Sequence, residues 1–531
     1  MLEQTVERSP DRTALAYFGT RMSYARLLAH VERCAAGLQS LGIKKGDRVA
    51  LLMSNCPQFV IAYFGVLRAG GIVTATSSMY TAREAAHQWH DAGASALIVD
   101  RKLHPTAQAA LADVPELQHV ILTGSRDYYP TAFAGMDRLV RAKAKLPKRN
   151  ARLAAHHESH VTRHTWRELL LLARAPSPPS TKPGDIACLQ YTGGTTGISK
   201  GAMLTHRNLV TNAYQTIHWL SRDRGGPEVM VAALPLFHIY AMTCVMLSSV
   251  LAGGTVVLLP RFELRAALNV VRKHRPTMFH GVPTMYVAFN EAQNVERYGF
   301  KSLRVCMSGG APLPVQVAQK FEALTGGRLV EGYGLTEASP VTHVNPPDGE
   351  ARIGSIGLVI PHTQARIVDL KTGRRELPAG KAGEIIIRGP QVMKGYWNKP
   401  EETAQTLRKG WLYTGDIARR DEDGYFYIVD RKKDMIIAGG YNVYPREVEE
   451  VLFQHPHINE AAVVGVADKY RGETVKAFIV LRDGARTTAE EIVAFCRERL
   501  AAYKVPRHIV FRSSLPKSSV GKYLRRELRS Q

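Results

Sequence analysis

Between residues 23 and 100, short unbroken apolar runs alternate with segments of helical periodicity, and this alternation constrains the fold more than any other feature. SYARLLAHVERCAAGLQSLG places apolar residues at helical spacing behind a Ser cap and stops at Gly42. RVALLM then predicts a strand, PQFVIAYFGVLRAGG a helix with Pro at its start and Gly at its end, and GIVTAT a further strand. REAAHQWHDAG followed by SALIVD repeats the unit. A strand that is apolar on both faces must be covered on both faces, so the pattern predicts parallel sheet wrapped by helices. At 531 residues the chain is long enough for two or three cores.

The rhythm breaks at 138–182, which holds eleven Lys/Arg and four His against two acids and ends in the connector RAPSPPSTKPGD. A solvated surface excursion is one reading of it; contact with an anionic membrane surface or another polyanion is the other. The βα pattern resumes at DIACLQYTGGTTG and continues to about residue 350. Strands dominate 352–429 (ARIVDL, GEIIIRGP, GYFYIVD), and a smaller unit of mixed helices and strands follows Asp430. The expected class is therefore α/β. A large N-terminal domain, 1–429, carries parallel sheets and a β-rich subdomain at 352–429; a small, mobile α+β lid spans 430–531.

The 70 Lys+Arg against 47 Asp+Glu leave a net charge of +23, which favours anionic partners without choosing among them. The charge is diffuse, with no aromatic-interleaved basic stripe and no DNA-reading motif, so no nucleic-acid partner is expected. The six cysteines form no CxxC pair, so neither a disulfide framework nor a zinc knuckle is expected. No signal peptide is expected, because MLEQTVERSPDRTAL shows no basic-then-apolar pattern. The most apolar stretch, 234–260, is broken by a His and a Gly-Gly pair, so a buried helix–turn–strand is expected there rather than a membrane span. A cytoplasmic protein is expected, with peripheral contact at the inner face of the membrane left open.

The sharpest local feature is YTGGTTGISKG, 191–201, in which four Gly and four Ser/Thr follow an apolar strand. Glycines let backbone N–H groups approach an anion closely and hydroxyls add donors, a chemistry suited to polyphosphate. No GxxxxGK[ST] and no GxGxxG occurs, which weakens the P-loop and dinucleotide readings. In YGLTE, 333–337, Tyr333 offers a flat face for a purine, Thr336 a hydroxyl for phosphate and Glu337 a hard oxygen ligand for Mg2+. In YTGD, Asp416 can accept both ribose hydroxyls, although an Asx turn explains it locally as well. His238 in LPLFH reads as a core residue on sequence alone. Lys522, in the loop PKSSVGK beside a basic helix, reads as one more solvated lysine until its neighbours are taken together.

Taken together they change the reading. YTGGTTGISKG, LPLFH (234–238), SGGAPL (308–313), YGLTE, YTGD, DRKKDMIIAGGYNVYPREVE (430–449) and PKSSVGK (516–522) occur in the order of the adenylate-forming superfamily. The chain resembles its acyl-CoA synthetases, luciferases and peptide-synthetase adenylation domains along nearly its whole length. The wording of QYTGGTTGISKGAMLTHRNLV, LVEGYGLTEASPVTH and GPQVMKGYWNKPEET is most similar to bacterial long-chain fatty-acid–CoA ligases.

This resemblance implies an acid–thiol ligase that joins fatty acid and CoA with ATP, through an acyl-adenylate, releasing AMP and pyrophosphate. It implies catalytic roles for Lys522, Thr336, Glu337 and His238, with Glu337 as the metal ligand. It places nucleotide or CoA contacts at Thr192, Gly193, Gly194, Thr195, Thr196, Gly197 and Lys200 of the phosphate loop. Further contacts fall at Gly309, Gly310 and Ala311, at Gly332, Tyr333 and Gly334, and at Asp416, Arg431 and Lys433. Gly439, Gly440 and Tyr441 would leave room for the pantetheine thread, and Lys433 would be the hinge. Related long-chain enzymes are often homodimers, which leaves a homodimer open here. Some also carry a Trp four residues beyond the LPLFH His as a tunnel gate; this chain has Met242. Transfer to a carrier protein, or an aryl acid as substrate, are the rival readings.

Overall fold

The structure is a computed structural model that describes residues 1–128, 161–173, 175–178, 180–192, 199–221, 227–352, 354–438, 441–468, 471–518 and 523–529. The local signals in the first hundred residues act as expected. Ser23 caps the helix Tyr24–Ser40 by accepting from the Arg26 N–H, and Pro57 opens the helix Pro57–Ala69. A capping box between Thr81 and Glu84 starts the helix Ala82–Ala92, which ends at Gly93 in the left-handed region.

These helices cover a seven-stranded sheet whose order runs Thr162–Thr165, His119–Thr123, Ala94–Asp100, Arg48–Leu52, Ile72–Thr76, Ile186–Thr192 and Lys200–Thr205. Every pairing is parallel except the last, a hairpin in which Thr192 faces Lys200. A nine-stranded sheet carries a parallel centre through Arg328–Gly334, Val305–Ser308, Met278–Gly281, Val229–Ala232, Thr255–Leu258 and Thr13–Tyr17. The largest buried cluster draws Val49, Leu51 and Ile98 from the first sheet and Val231, Val256 and Val305 from the second, so the two share one core.

A third, antiparallel sheet uses Gln364–Val368, Gly383–Arg388, Leu407–Arg408, Trp411–Arg420 and Phe426–Arg431, with its own small core around Ile367, Ile385 and Phe426. A fourth combines Tyr441–Val443, Ile436–Ala438, Gly472–Leu481, Ile458–Asp468 and His508–Phe511, packed with the helices Pro445–Phe453 and Ala489–Arg497. The α/β class with a smaller β-rich C-terminal part is thus the observed fold. The pairing adds two details. Leu358–Val359 extends the nine-stranded sheet through Val341–Val344 rather than the β-rich run. Asp430 and Arg431 close the third sheet opposite Ile417 and Asp416.

The apolar stretch after His238 is helical from Ile239–Ala241 to Ser248–Leu251 and enters strand Thr255–Leu258, the expected helix–turn–strand. Its middle, Met242–Leu247, is π-helical, a form concentrated at functional sites. Among the described residues no helix is long and apolar enough to cross a membrane.

Candidate active site

The carboxyl ends of parallel strands are where an open α/β sheet leaves a crevice. Val305–Ser308 and Arg328–Gly334 are neighbours in register, Ser308 beside Glu331, so the segments leaving them, 309–311 and 335–337, emerge side by side. Gly334 sits where a side chain has no room, and Gly309 where one would press on its neighbour. A Cβ on Gly309 would stand 3.2 Å from the Tyr240 ring, and one on Gly334 would stand 2.3 Å from the Pro340 carbonyl. Gly310, at a φ of 82°, and Ala311 form the bend after the first strand, and Gly332 lies within the second, paired with Val344. Glu331, buried beneath them, is pushed up to about 7 by burial against the opposing pull of Arg446 and the Leu313 N–H.

Tyr333 and Asp416 are 83 residues apart in sequence, yet the Tyr333 phenol donates to Asp416 Oδ2 at 2.5 Å. Arg431 lies directly across the strand pair from Asp416, its Nε 3.6 Å from Oδ1. Behind Tyr333 the fully buried His343 ring packs at 5.9 Å, kept neutral because burial lowers its pKa to about 3. The turn carrying Asp416 is itself held: Glu384 accepts from the Gly415 N–H at 3.1 Å and from Lys432 Nζ at 2.9 Å. Lys433 follows. Its ammonium is lowered chiefly by burial and next by Arg431, while the carboxylates of Asp434, Asp416 and Glu337 pull the other way. Tyr333, Asp416, Arg431, Lys433 and Glu337 therefore share one electrostatic neighbourhood, with Thr336 beside Glu337 in a short 3-10 turn.

The ends of the phosphate loop are pinned from the seven-stranded sheet. Tyr191 donates to Asp91 Oδ2 at 2.6 Å, a His87 ring nitrogen lies 3.4 Å from the Ser199 carbonyl, and Thr192 and Lys200 pair across the hairpin. Lys200 Nζ stands 3.7 Å from Glu402 and 5.6 Å from the centre of the Tyr396 ring. Tyr396 in turn donates to Glu337 Oε1 at 2.7 Å, which joins the loop's lysine to the carboxylate of YGLTE. His238 caps the helical stretch after it, its Nδ1 accepting from the Tyr240 N–H at 3.2 Å, so that nitrogen carries no proton. Met242, at the gate position, is fully buried. Tyr441 is 59% exposed on the C-terminal sheet and stacks on Tyr503 at 4.7 Å.

Gly193, Gly194, Thr195, Thr196, Gly197, Gly439, Gly440 and Lys522 lie outside the described residues. Glu384, His343, Asp91 and Tyr396 went unassigned in the sequence. Of these, Tyr396 and His343 carried a signal, their places in GPQVMKGYWN and in the SPVTH extension after YGLTE.

The comparisons place this fold in an enzyme class. A family model for AMP-binding enzymes matches residues 2–397, and the AMP-binding enzyme C-terminal domain matches 447–522. The chain belongs to the AMP-binding enzyme family. It is 46% identical over 528 residues to a long-chain-fatty-acid–CoA ligase of Bacillus subtilis, covering 99% of this chain and 93% of that protein. A long-chain-fatty-acid–CoA ligase of Escherichia coli is 43% identical over 543 residues, covering 100% and 94%. Among solved structures, an anthranilate CoA ligase in complex with anthranoyl-AMP aligns at a TM-score of 0.87 and 27% identity, over 100% of this chain and 96% of that one.

Proposed function

We propose that this protein is an AMP-forming long-chain fatty-acid–CoA ligase. The carrying observation is the convergence of Tyr333, Asp416, Arg431, Lys433 and Glu337, from motifs far apart in sequence, in a chain so similar throughout to long-chain ligases. In the first half-reaction a carboxylate oxygen bonds to the α-phosphorus of ATP and the bond to the pyrophosphate oxygen breaks. In the second, a CoA thiolate bonds to the acyl carbon and AMP leaves. No protein nucleophile is required, so the residues contribute position and charge.

Tyr333 offers its ring to the adenine; Asp416 and Arg431 take the ribose and phosphate side. The loop from Thr192 to Lys200 wraps the phosphates, Thr336 adds a hydroxyl, and Lys522 meets the charge that develops on the α-phosphate. His238 stands where the acyl pocket meets the CoA channel, and Gly439, Gly440 and Tyr441 border the pantetheine.

Magnesium fits the donor set. Among the described residues no group of three metal-ligating side chains stands ready-made, and Glu337 brings a hard carboxylate to the Tyr396 ring that Lys200 of the phosphate loop also faces. That suits a cation held by one or two carboxylates plus phosphate oxygens. When bound it would neutralise phosphate charge. Cytoplasmic placement, with peripheral contact to anionic lipid, belongs to the same reading and draws support from the +23 charge.

The substrate class is tested by acid preference. Each methylene buried is worth about 0.8 kcal/mol, so kcat/KM is expected to rise from about eight to about fourteen carbons and then flatten. A maximum at acetate, benzoate or anthranilate would overturn the fatty-acid assignment.

A further inference from the structure

Tyr396 sits on a segment hydrogen-bonded to two parts of the site at once. On one side Met203 N–H donates to the Gly395 carbonyl, Lys394 N–H to the Met203 carbonyl and Trp397 N–H to the Gly201 carbonyl, at 2.8, 2.9 and 2.8 Å. Ala202 and Tyr396 pair as an antiparallel bridge. On the other side Met393 N–H donates to the Glu337 carbonyl at 2.8 Å. The backbone thus fixes Tyr396 between the strand that begins at Lys200 and the turn that carries Glu337. The side chain spans the same interval, its hydroxyl 2.7 Å from Glu337 Oε1 and its ring 5.6 Å from Lys200 Nζ.

We propose that Tyr396 is the positioning residue for the nucleotide's metal: it ties down one oxygen of Glu337, presents the other in a single direction, and couples that direction to Lys200. The inference rests on the adenylating reading of the site. A carboxylate's terminal torsion is broad, so an untethered Glu337 would spread its oxygens over many directions. One hydrogen bond to Oε1 removes that freedom, and the hydroxyl needs no contact with the reacting atoms to do so. The lysine over the same ring gives the phosphate loop and the metal ligand a common support, so that ordering one orders the other.

The probe is manganese(II) titrated with ATP and read by paramagnetic resonance, with neither fatty acid nor CoA present. Tyr396→Phe keeps the ring beneath Lys200 and deletes only the hydroxyl. It should weaken manganese–ATP binding about tenfold, the worth of one hydrogen bond to a carboxylate, and leave the KM for palmitate unchanged. In a Glu337→Gln background the same substitution should add little, because a bond to a carboxylate already removed cannot be lost again. Parental manganese affinity in Tyr396→Phe, or two losses that multiply in the double variant, would overturn the proposal. The manganese titration contains no acid, so a wrong substrate class would leave it intact and show only in the palmitate KM and the acid-preference series.

Discussion

Lys522→Ala is expected to lower acyl-adenylate formation about a thousandfold, while supplied acyl-AMP still becomes acyl-CoA at close to the parental rate. The asymmetry follows from where charge develops. In the first half-reaction the α-phosphate gains an oxygen and negative charge together, and an ammonium about 4 Å away would be worth roughly 4 kcal/mol at an effective dielectric near 20. In the second, charge develops on the acyl carbonyl and then on departing AMP, and the resemblance assigns that step to another face of the C-terminal part. Described residues on either side of this loop are held to the C-terminal sheet and to each other. Lys517 is paired with Glu460 and bridges to Tyr523, and the Leu524 N–H donates to the Pro516 carbonyl at 2.9 Å. Loss of one side chain should therefore leave the C-terminal part folded. Acyl-AMP accumulation and thioester formation from synthetic acyl-AMP, measured on one preparation, check it; equal loss in both would reject the assignment.

Lys433→Pro should separate the half-reactions the other way, with pyrophosphate exchange into ATP retained and acyl-CoA output collapsing by a hundredfold or more (an order-of-magnitude expectation). Proline holds φ near −65° and restricts the residue before it. That residue is Lys432, whose N–H donates to the Gly415 carbonyl and whose ammonium holds Glu384. The turn is tied to the C-terminal helix too, since Arg529 donates to the Lys433 carbonyl and pairs with Asp434 at 3.1 Å. A chain so braced can swing only if a few backbone torsions absorb the change, and proline would hold one of them. Gly440→Leu should give the same split by bulk alone. Parallel loss of exchange and thioester formation in both variants would reject the alternation of states.

The parts of this molecule that were legible in the sequence are those whose cause is local. Ser23, Pro57 and Gly70 punctuate helices by satisfying or omitting specific backbone groups, and such signals survive without tertiary knowledge. The π-helical Met242–Leu247 was hidden because every residue there is buried, and a segment apolar all round has no face from which to read a period. Leu358–Val359 is too short to announce its sheet; its partner Val341–Val344 decides it.

In the site, residue types with one evident chemistry stood out from their motifs: Glu337, Asp416 and the glycines of the phosphate loop. The connections between them did not. Tyr333 finds Asp416, and Tyr396 finds Glu337 and Lys200, only after three sheets have brought distant strand ends together. A tyrosine between Gly395 and Trp397 reads locally as turn or packing.

The central claim is that the acid is activated as an acyl-adenylate at this site. It is tested most directly by supplying palmitate labelled with heavy oxygen in its carboxylate, with ATP and CoA, and weighing the products. The account predicts one labelled oxygen in the phosphate of AMP and the remaining label in the thioester carbonyl, because the attacking oxygen leaves with AMP. Label in pyrophosphate or in inorganic phosphate, or AMP without label, would contradict it.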